Sequence, residues 1–255
     1  MRACYLDLDG TFLGPDGPSP AGLAALAACR AGGVEVVLMS GRSRRRLAPE
    51  ARRLGLASYV GELGGCVVVD GATRWLTGAM RPSARDGTVF EQIAASGAPA
   101  LLRRQFAGRL RPHAPWHRER EVSYLFRGAV DVEEADQVLA EHGHGDLRLL
   151  DNGLAAPGVR VYHLLPRGTS KAAGVAEHRR ARGYDAAQCL AIGDSREDLA
   201  VAPAVGALWL VANAIGADPA LADDATIHPN ITIAAGRYGA GVLEAVAAGL
   251  RAPVA

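Results

Sequence analysis

The sequence predicts an α/β protein in which a Rossmann-like, doubly wound parallel sheet forms the core and carries an inserted α+β cap domain. Short apolar runs alternate with Ala- and Leu-rich helical runs, the pattern of parallel strands covered by helices on both faces. This alternation changes between residues 82 and 166 and resumes at residue 167. The chain has 255 residues, 49% hydrophobic and 22% charged, which suits one core with a smaller insertion. We therefore expect the core at residues 1–81 and 167–255 and the cap at residues 82–166.

The first half of the predicted core begins with a strand at residues 3–7. Ser19 and Pro20 supply an N-cap and a first helical residue for a helix that reaches about residue 30. The apolar run at residues 34–39 predicts a central strand that is buried on both faces. Ser43 begins a second helix that ends near residue 54, and a shorter apolar run covers residues 66–69.

The predicted cap is richer in Arg, His and Trp than the core. Residues 122–126 alternate more regularly than the earlier runs, which favours an antiparallel sheet with one face in water. A helix at residues 132–142 and strands at 147–150 and 159–165 complete the segment. Beyond it the core pattern predicts a helix at 170–183, a strand at 189–192, a helix from Ser195 and a strand at 207–211.

Charge, hydropathy and cysteine usage exclude several classes of function. A formal net charge of +1 provides no broad basic field for nucleic acid. The apolar run at residues 34–39 is far shorter than the roughly 18 residues of a membrane-spanning helix. Aspartates at positions 7 and 9 are incompatible with a signal peptide, and the four cysteines form no CxxC pair. We expect a cytoplasmic protein with buried, reduced thiols.

The first chemical motif is Asp7-Leu-Asp9-Gly10-Thr11, at the end of the first predicted strand. Because side chains in a strand repeat every two residues, Asp7 and Asp9 are expected to point the same way. Crowding two carboxylates raises the pKa of one of them, which lets one act as nucleophile and the other as general acid. An aspartate pair alone is also common in solvated turns.

Two further motifs provide groups that bind phosphate. Ser40-Gly41-Arg42 follows the next strand, where a hydroxyl and an exposed glycine amide form a small cradle for phosphate oxygens. Lys171 is the only lysine in the chain and lies near the start of a helix. A cation is unfavourable there unless an anion lies close by, which indicates that a compact ammonium is required.

The fourth motif, Gly193-Asp194-Ser195 with Asp198, supplies hard oxygen ligands. Asp194 follows a predicted strand and Asp198 lies one helical turn beyond it, so both side chains can face one site. Carboxylates beside phosphate-binding groups favour Mg²⁺ as the cofactor. All four motifs fall at strand ends, where open α/β sheets bind their ligands.

Together these motifs resemble those of the haloacid dehalogenase-like phosphatases. The resemblance points to subfamily IIB, the Cof-type sugar-phosphatase-like group, which carries a type B cap between its second and third motifs. It extends over nearly the whole chain and also includes Val211-Ala-Asn213-Ala, which is similar to the Asn-Ala turn of Cof-type enzymes.

The resemblance implies an aspartyl-phosphate mechanism in which Asp7 attacks phosphorus and Asp9 protonates the leaving alcohol, then activates water. It implies Mg²⁺ bound by Asp7, by the backbone carbonyl of Asp9 and by Asp194, with Asp198 contributing directly or through water. Lys171 is the third catalytic residue that it implies. The expected phosphate- and substrate-binding residues are Gly10, Thr11, Ser40, Gly41, Arg42, Lys171 and Asn213.

The expected substrate is a small phosphorylated metabolite, with sugar phosphates as the best single class, and the expected assembly is a monomer or homodimer. Two alternatives stay open: a phosphomutase of the same fold, and a non-catalytic regulator that binds phosphometabolites. The sequence departs from the family pattern at Glu197, where Asn is frequent, and at Glu62-Leu63-Gly64, where many relatives carry Glu-Asn-Gly. Four arginines of the cap either select an anionic or hydroxyl-rich substrate or form a solvated charged face, and the solvated face is the default: Arg103, Arg104, Arg118 and Arg120.

Overall fold

The computed structural model describes residues 1–114, 116–156 and 158–252. Its strands are β1 (Ala3–Asp7), β2 (Leu13–Gly14), β3 (Gly17–Pro18), β4 (Glu35–Met39), β5 (Ser58–Gly61), β6 (Cys66–Val69), β7 (Ala72–Trp75), β8 (Leu110–Pro112), β9 (Tyr124–Gly128), β10 (Leu147–Ala156), β11 (Val159–Pro166), β12 (Cys189–Gly193), β13 (Ala207–Leu210) and β14 (Ile231–Ile233). Its α-helices are α1 (Pro20–Ala31), α2 (Arg44–Arg53), α3 (Val89–Ala95), α4 (Ala98–Gln105), α5 (Val132–Glu141), α6 (Lys171–Arg182), α7 (Arg196–Leu199), α8 (Ala212–Ala217), α9 (Leu221–Asp224) and α10 (Gly239–Arg251).

The predicted fold class is confirmed. A large sheet has the strand order β14-β13-β12-β1-β4-β5-β6-β7, and it is parallel from β14 to β5. The edge strands β6 and β7 are antiparallel, so the sheet is mostly rather than wholly parallel. From β1 the chain proceeds to β4 on one side and later returns to β12 on the other. The carboxyl ends of β1 and β12 therefore lie at the point where the strand order reverses, and ligands bind there in such sheets.

Local signals fix the helix ends that matter for the site. The Ser19 side chain accepts a hydrogen bond from the backbone amide of Gly22 and caps α1, as predicted. Ser170 caps α6 in the same way through the amide of Ala173, and Gly183 ends that helix in the left-handed conformation. Lys171 is thereby held at the first position of α6.

Two apolar clusters sandwich the large sheet. On β1 the side chains of Cys4 and Leu6 belong to one cluster, whereas Ala3 and Tyr5 belong to the other. This alternation is the two-residue period of a strand that is buried on both faces. The continuous apolar run of β4 likewise results from burial of both faces of the strand, as the sequence predicted.

A separate antiparallel sheet with the order β10-β11-β9-β8 lies within the predicted cap segment. Helices α3, α4 and α5 contribute to its core, whose largest fully buried side chains include Phe106, Phe126 and Tyr162. The predicted strand at residues 122–126 begins two residues later, at Tyr124, and β10 extends to Ala156. Leu63 of the core packs with Leu150 and Leu165 of the second sheet, so the two sheets are joined by a small apolar contact. No helix in the described ranges has the length and apolar character that crossing a bilayer requires.

Candidate active site

Four sequence motifs meet at the carboxyl edge of the large sheet. Asp7 is the last residue of β1, Ser40 follows β4 directly, and Asp194 follows β12. Because β4 and β12 are the two neighbours of β1, the motifs converge from both sides. Lys171 reaches the same place from the first turn of α6.

Asp7 and Lys171 form a buried ion pair at the centre of this site. The Lys171 Nζ donates to Asp7 Oδ1 at 2.7 Å, and both side chains are almost fully buried. The second carboxylate oxygen of Asp7, Oδ2, is buried and has no hydrogen-bond partner among the described residues. Burial raises the pKa of Asp7, and Lys171 opposes that shift. A buried oxygen without a partner is costly for stability, which makes Oδ2 the candidate atom for bonding to a ligand.

Lys171 also bonds Asp198, with a distance of 2.7 Å from Nζ to Oδ1. Burial alone would disfavour the ammonium, but Asp198 and Asp7 raise the pKa of Lys171 above its usual value. The other oxygen of Asp198 accepts from the Ser195 hydroxyl at 2.6 Å and from the backbone amides of Asp194 and Ser195. Both oxygens of Asp198 are thus engaged, and the residue holds Lys171 and the 194–195 turn in place.

Asp194 is placed by Thr11 and Gly10. The Thr11 hydroxyl donates to Asp194 Oδ1 at 3.0 Å. Gly10 has φ +89°, and a Cβ at this position would lie 2.2 Å from Asp194 Oδ2. Both the left-handed backbone and the close approach require glycine. Burial and the neighbouring Asp198 raise the pKa of Asp194 to about 6.

These carboxylates fit a divalent cation that prefers oxygen ligands. One oxygen each from Asp7, Asp194 and Asp198 lies within 4.8 Å of the others. The unpartnered Asp7 Oδ2 is the atom that a cation would satisfy, and no described residue donates a hydrogen bond to the Asp9 carbonyl. Mg²⁺ is one such cation, since it takes few carboxylates and keeps several waters.

Asp9 does not lie beside Asp7, which corrects the expectation that these two carboxylates crowd each other. Arg42 binds Asp9 through both oxygens, with Nε–Oδ2 at 2.8 Å and Nη2–Oδ1 at 2.5 Å, and the Asp9 side chain is 54% exposed. Burial is the main cause of the raised pKa of Asp7, and the carboxylates that add to it are Asp198 and Asp194. The physical reason is that β1 ends at Asp7, so the two-residue alternation of a strand does not extend to Asp9.

Ser40 and Gly41 form the adjoining loop. The buried Ser40 hydroxyl accepts from the Arg42 amide at 3.0 Å. The Cα of Gly41 faces the second sheet, and a Cβ at this position would lie 3.1 Å from the side-chain nitrogen of Asn152. A residue of β10 therefore covers the predicted phosphate cradle.

Asn213 lies behind the site rather than in its open space. Its side-chain nitrogen donates to the Gly10 carbonyl at 2.8 Å, and its oxygen accepts from the Tyr238 amide at 2.8 Å. Asn213 therefore stabilises the Gly10 turn. The resemblance had suggested a substrate-binding role, but both of its polar groups are engaged by backbone.

Glu62, which keeps the Glu of the Glu-Asn-Gly pattern beside the departure at Leu63, binds the segment that leads into β9. Its carboxylate is fully buried and accepts from the amides of Glu121, Val122 and Ser123 and from the Ser123 hydroxyl. Glu62 has φ +47°, a strained value for a residue with a side chain. Its contacts lie about sixty positions away in the sequence, so no local pattern could have revealed them.

Glu197, the other departure, is partly buried near the second sheet. Burial raises its pKa, and the nearest charges that act on it are those of Arg148 and Lys171. No described residue hydrogen-bonds its carboxylate. The charges that act on Glu197 thus come both from the carboxylate cluster, through Asp198, and from β10, through Arg148 and Asp151.

The chain is similar to known hydrolases over most of its length. A family model for haloacid dehalogenase-like hydrolases matches residues 4–80. A phosphoglycolate phosphatase from Halorubrum lacusprofundi is 33% identical over 221 residues, covering 86% of this chain and 87% of that protein. A phosphoglycolate phosphatase from Methanoculleus marisnigri is 27% identical over 253 residues, covering 96% and 95%. Among solved structures, a sucrose-phosphatase from Synechocystis, in complex with sucrose and phosphate, has a TM-score of 0.69 at 18% identity and covers 98% of both chains.

Proposed function

This chain belongs to the haloacid dehalogenase-like hydrolases, subfamily IIB, and is a phosphatase, and on that premise we propose that it hydrolyses a small phosphomonoester through an aspartyl-phosphate on Asp7. The single observation that carries the proposal is the environment of Asp7. Its Oδ1 is fixed by Lys171, whereas Oδ2 is buried and has no hydrogen-bond partner among the described residues. Asp7 lies at the carboxyl end of β1, where the strand order reverses. A carboxylate held by one oxygen keeps a defined orientation, which nucleophilic attack in line with the leaving group requires.

The neighbouring residues have complementary proposed roles. Lys171 balances the charge of Asp7 and Asp198 and remains a donor for a phosphoryl oxygen, while Ser40 and the Gly41 amide provide further donors. Asp9 is the proposed acid and base, and its pairing with Arg42 holds it at the exposed side of the site until the substrate enters. Asp198 positions Lys171 and the turn that carries Asp194.

Asp7, Asp194 and the carbonyl of Asp9 are the proposed Mg²⁺ ligands. When bound, the cation neutralises negative charge at the phosphoryl group and in the carboxylate cluster. Burial and the neighbouring carboxylates raise the pKa values of Asp7 and Asp194, and a cation bound among them would act in the opposite direction.

Among substrates, we favour a short phosphomonoester that carries a carboxylate, with phosphoglycolate as the first candidate. Two relatives that align over most of this chain are phosphoglycolate phosphatases. The Asn152 side chain lies over the Cα of Gly41, so a substrate bound at the cradle would meet this residue of β10. Sugar phosphates, the prediction made from sequence, remain the second candidate class. We also propose that residues 82–166 act as the cap over the site.

The test is phosphate release from phosphoglycolate, sugar phosphates, nucleotides and phosphorylated cofactors, measured with Mg²⁺ and with chelator. We expect Mg²⁺-dependent hydrolysis that is abolished by Asp7→Asn. Interconversion of sugar-phosphate isomers without phosphate release would instead indicate a mutase. Tight binding without turnover, unchanged in Asp7→Asn, would indicate a regulator and contradict the proposal.

A further inference from the structure

We propose that Arg120, a residue of the predicted cap, determines specificity by binding a second anionic group of the substrate. This inference rests on the proposed function and deepens it, since it names the residue that selects carboxylated phosphomonoesters. In the sequence Arg120 was indistinguishable from the other arginines of the segment, which form a solvated face by default.

Arg120 lies against the phosphate cradle. Its Nη1 donates to the Gly41 carbonyl at 2.7 Å and to the Ser123 hydroxyl at 3.0 Å. Gly41 is also the residue whose amide is expected to bind a phosphoryl oxygen. The guanidinium therefore contacts the loop that would hold the phosphoryl group, and we place the second anion of the substrate beside it.

The arginine is buried and held rigidly in place. Its side chain is only 9% exposed, and Glu62 lies 3.6 Å from Nη1. Glu62 already accepts from three backbone amides and from Ser123, so its charge is shared among several donors. No described residue accepts a hydrogen bond from Nη2 of Arg120. This nitrogen of the planar guanidinium is therefore available to bind a carboxylate.

The surroundings of Arg120 favour an anion. It also borders a cavity of about 350 Å³, together with Arg45, Arg118 and His117. The acidic residues of this cavity are engaged elsewhere: Glu121 binds Arg44 through both oxygens, and Glu119 lies 3.6 Å from Arg46. The third, Glu91, accepts from Thr88 in a capping box. Arg45 and Arg118 have no ion-pair partner among the described residues, so they add positive charge beside Arg120, and Glu91 offsets part of it because its partner Thr88 is uncharged.

A purely structural role would have different consequences. Arg120 also connects the two sheets through Gly41, and if that were its whole function, its loss would reduce hydrolysis of every substrate to the same extent. A specificity role predicts a loss confined to substrates with a second anion. The two roles are therefore separated by comparing a carboxylated substrate with an uncharged one.

The experiment compares phosphoglycolate with para-nitrophenyl phosphate in the wild type, Arg120→Gln, Arg120→Lys and the control Arg104→Gln, an exposed arginine of α4. We expect Arg120→Gln to raise KM for phosphoglycolate about 10- to 100-fold, the range for losing a hydrogen bond to a charged group. The loss on para-nitrophenyl phosphate should be about tenfold smaller than the loss on phosphoglycolate, because only the carboxylated substrate loses a charged partner. Arg120→Lys should recover part of the preference, and Arg104→Gln should match the wild type.

A second measurement needs no variant. Phosphonopropionate, a non-hydrolysable analogue with a carboxylate, should inhibit the wild type at least about tenfold more tightly than propylphosphonate, which has a methyl group instead. Equal inhibition, or equal losses on both substrates in Arg120→Gln, would overturn the role of Arg120 while the phosphatase proposal stands. Absence of Mg²⁺-dependent hydrolysis of any phosphomonoester would overturn both proposals.

Discussion

Replacing Lys171 by methionine should destabilise the protein strongly, because Lys171 is the cation between two buried carboxylates. Its Nζ lies 2.7 Å from both Asp7 and Asp198, and the three side chains are at most 6% exposed. Removing one partner from a buried ion pair costs about 3–5 kcal/mol, because the other charge is left without compensation. For a chain of this size that corresponds to a decrease in Tm of roughly 6–20 °C.

The loss of folding stability in Lys171→Met should depend on pH and on Mg²⁺ in a defined direction. Burial raises the pKa of Asp7 and Lys171 opposes that shift, so without Lys171 the Asp7 carboxylate binds a proton more tightly in the folded state than in the unfolded state. Stability of the variant should therefore fall as pH rises above the ordinary carboxylate pKa of about 4, and the deficit should be larger at about pH 8 than at about pH 5. Mg²⁺ should offset part of the deficit, since it would supply positive charge to the same cluster.

The assay is denaturant unfolding of Lys171→Met and of Arg180→Met, with chelator and with Mg²⁺. Arg180 lies on the same helix, and its ion pair with Glu177 has the same 2.7 Å distance, but its side chain is 70% exposed. Its loss should cost less than about 1 kcal/mol. If the two variants had equal stability at about pH 8 in chelator, Lys171 would not be the counter-charge of this cluster, and the reasoning would be refuted.

Three further predictions follow from the site and from its connection to the second sheet. Mg²⁺ should raise Tm more at about pH 7.5 than at about pH 5.5, because protons compete for Asp194, whose pKa is raised to about 6; equal shifts at both pH values would contradict this. Gly10→Ala should lower activity on the order of 100-fold by displacing Asp194. Gly17 has a similar φ of +91°, but a Cβ there would have no heavy atom of a described residue beyond its chain neighbours within 4 Å, so Gly17→Ala should retain wild-type kcat/KM. Glu62→Ala should accelerate amide hydrogen exchange at residues 121–123, because these amides lose their acceptor, and unchanged protection there would show that Glu62 does not fix the segment.

The sequence alone was sufficient for the parts of the site that depend on local structure. Asp7 ends one strand, Asp194 follows another, and Lys171 lies at the start of a helix, all as the pattern of residues predicted. The carboxyl ends of neighbouring parallel strands must lie at one edge, so placing the residues at strand ends was enough to bring them together. The antiparallel edge strand β7 was missed because a short, partly exposed segment carries little periodic signal.

Only the tertiary structure decided how the remaining polar side chains are paired. Asp9 follows the last residue of β1, so its direction depends on the turn and on Arg42, which comes from another strand end. Glu62 and Arg120 become partners only when the second sheet lies against the core, and their separation in sequence hides that contact. Strand and helix patterns report which face of an element is buried, a property of neighbouring residues. The choice of partner for a buried charge depends instead on which distant groups the packed fold brings within hydrogen-bonding distance.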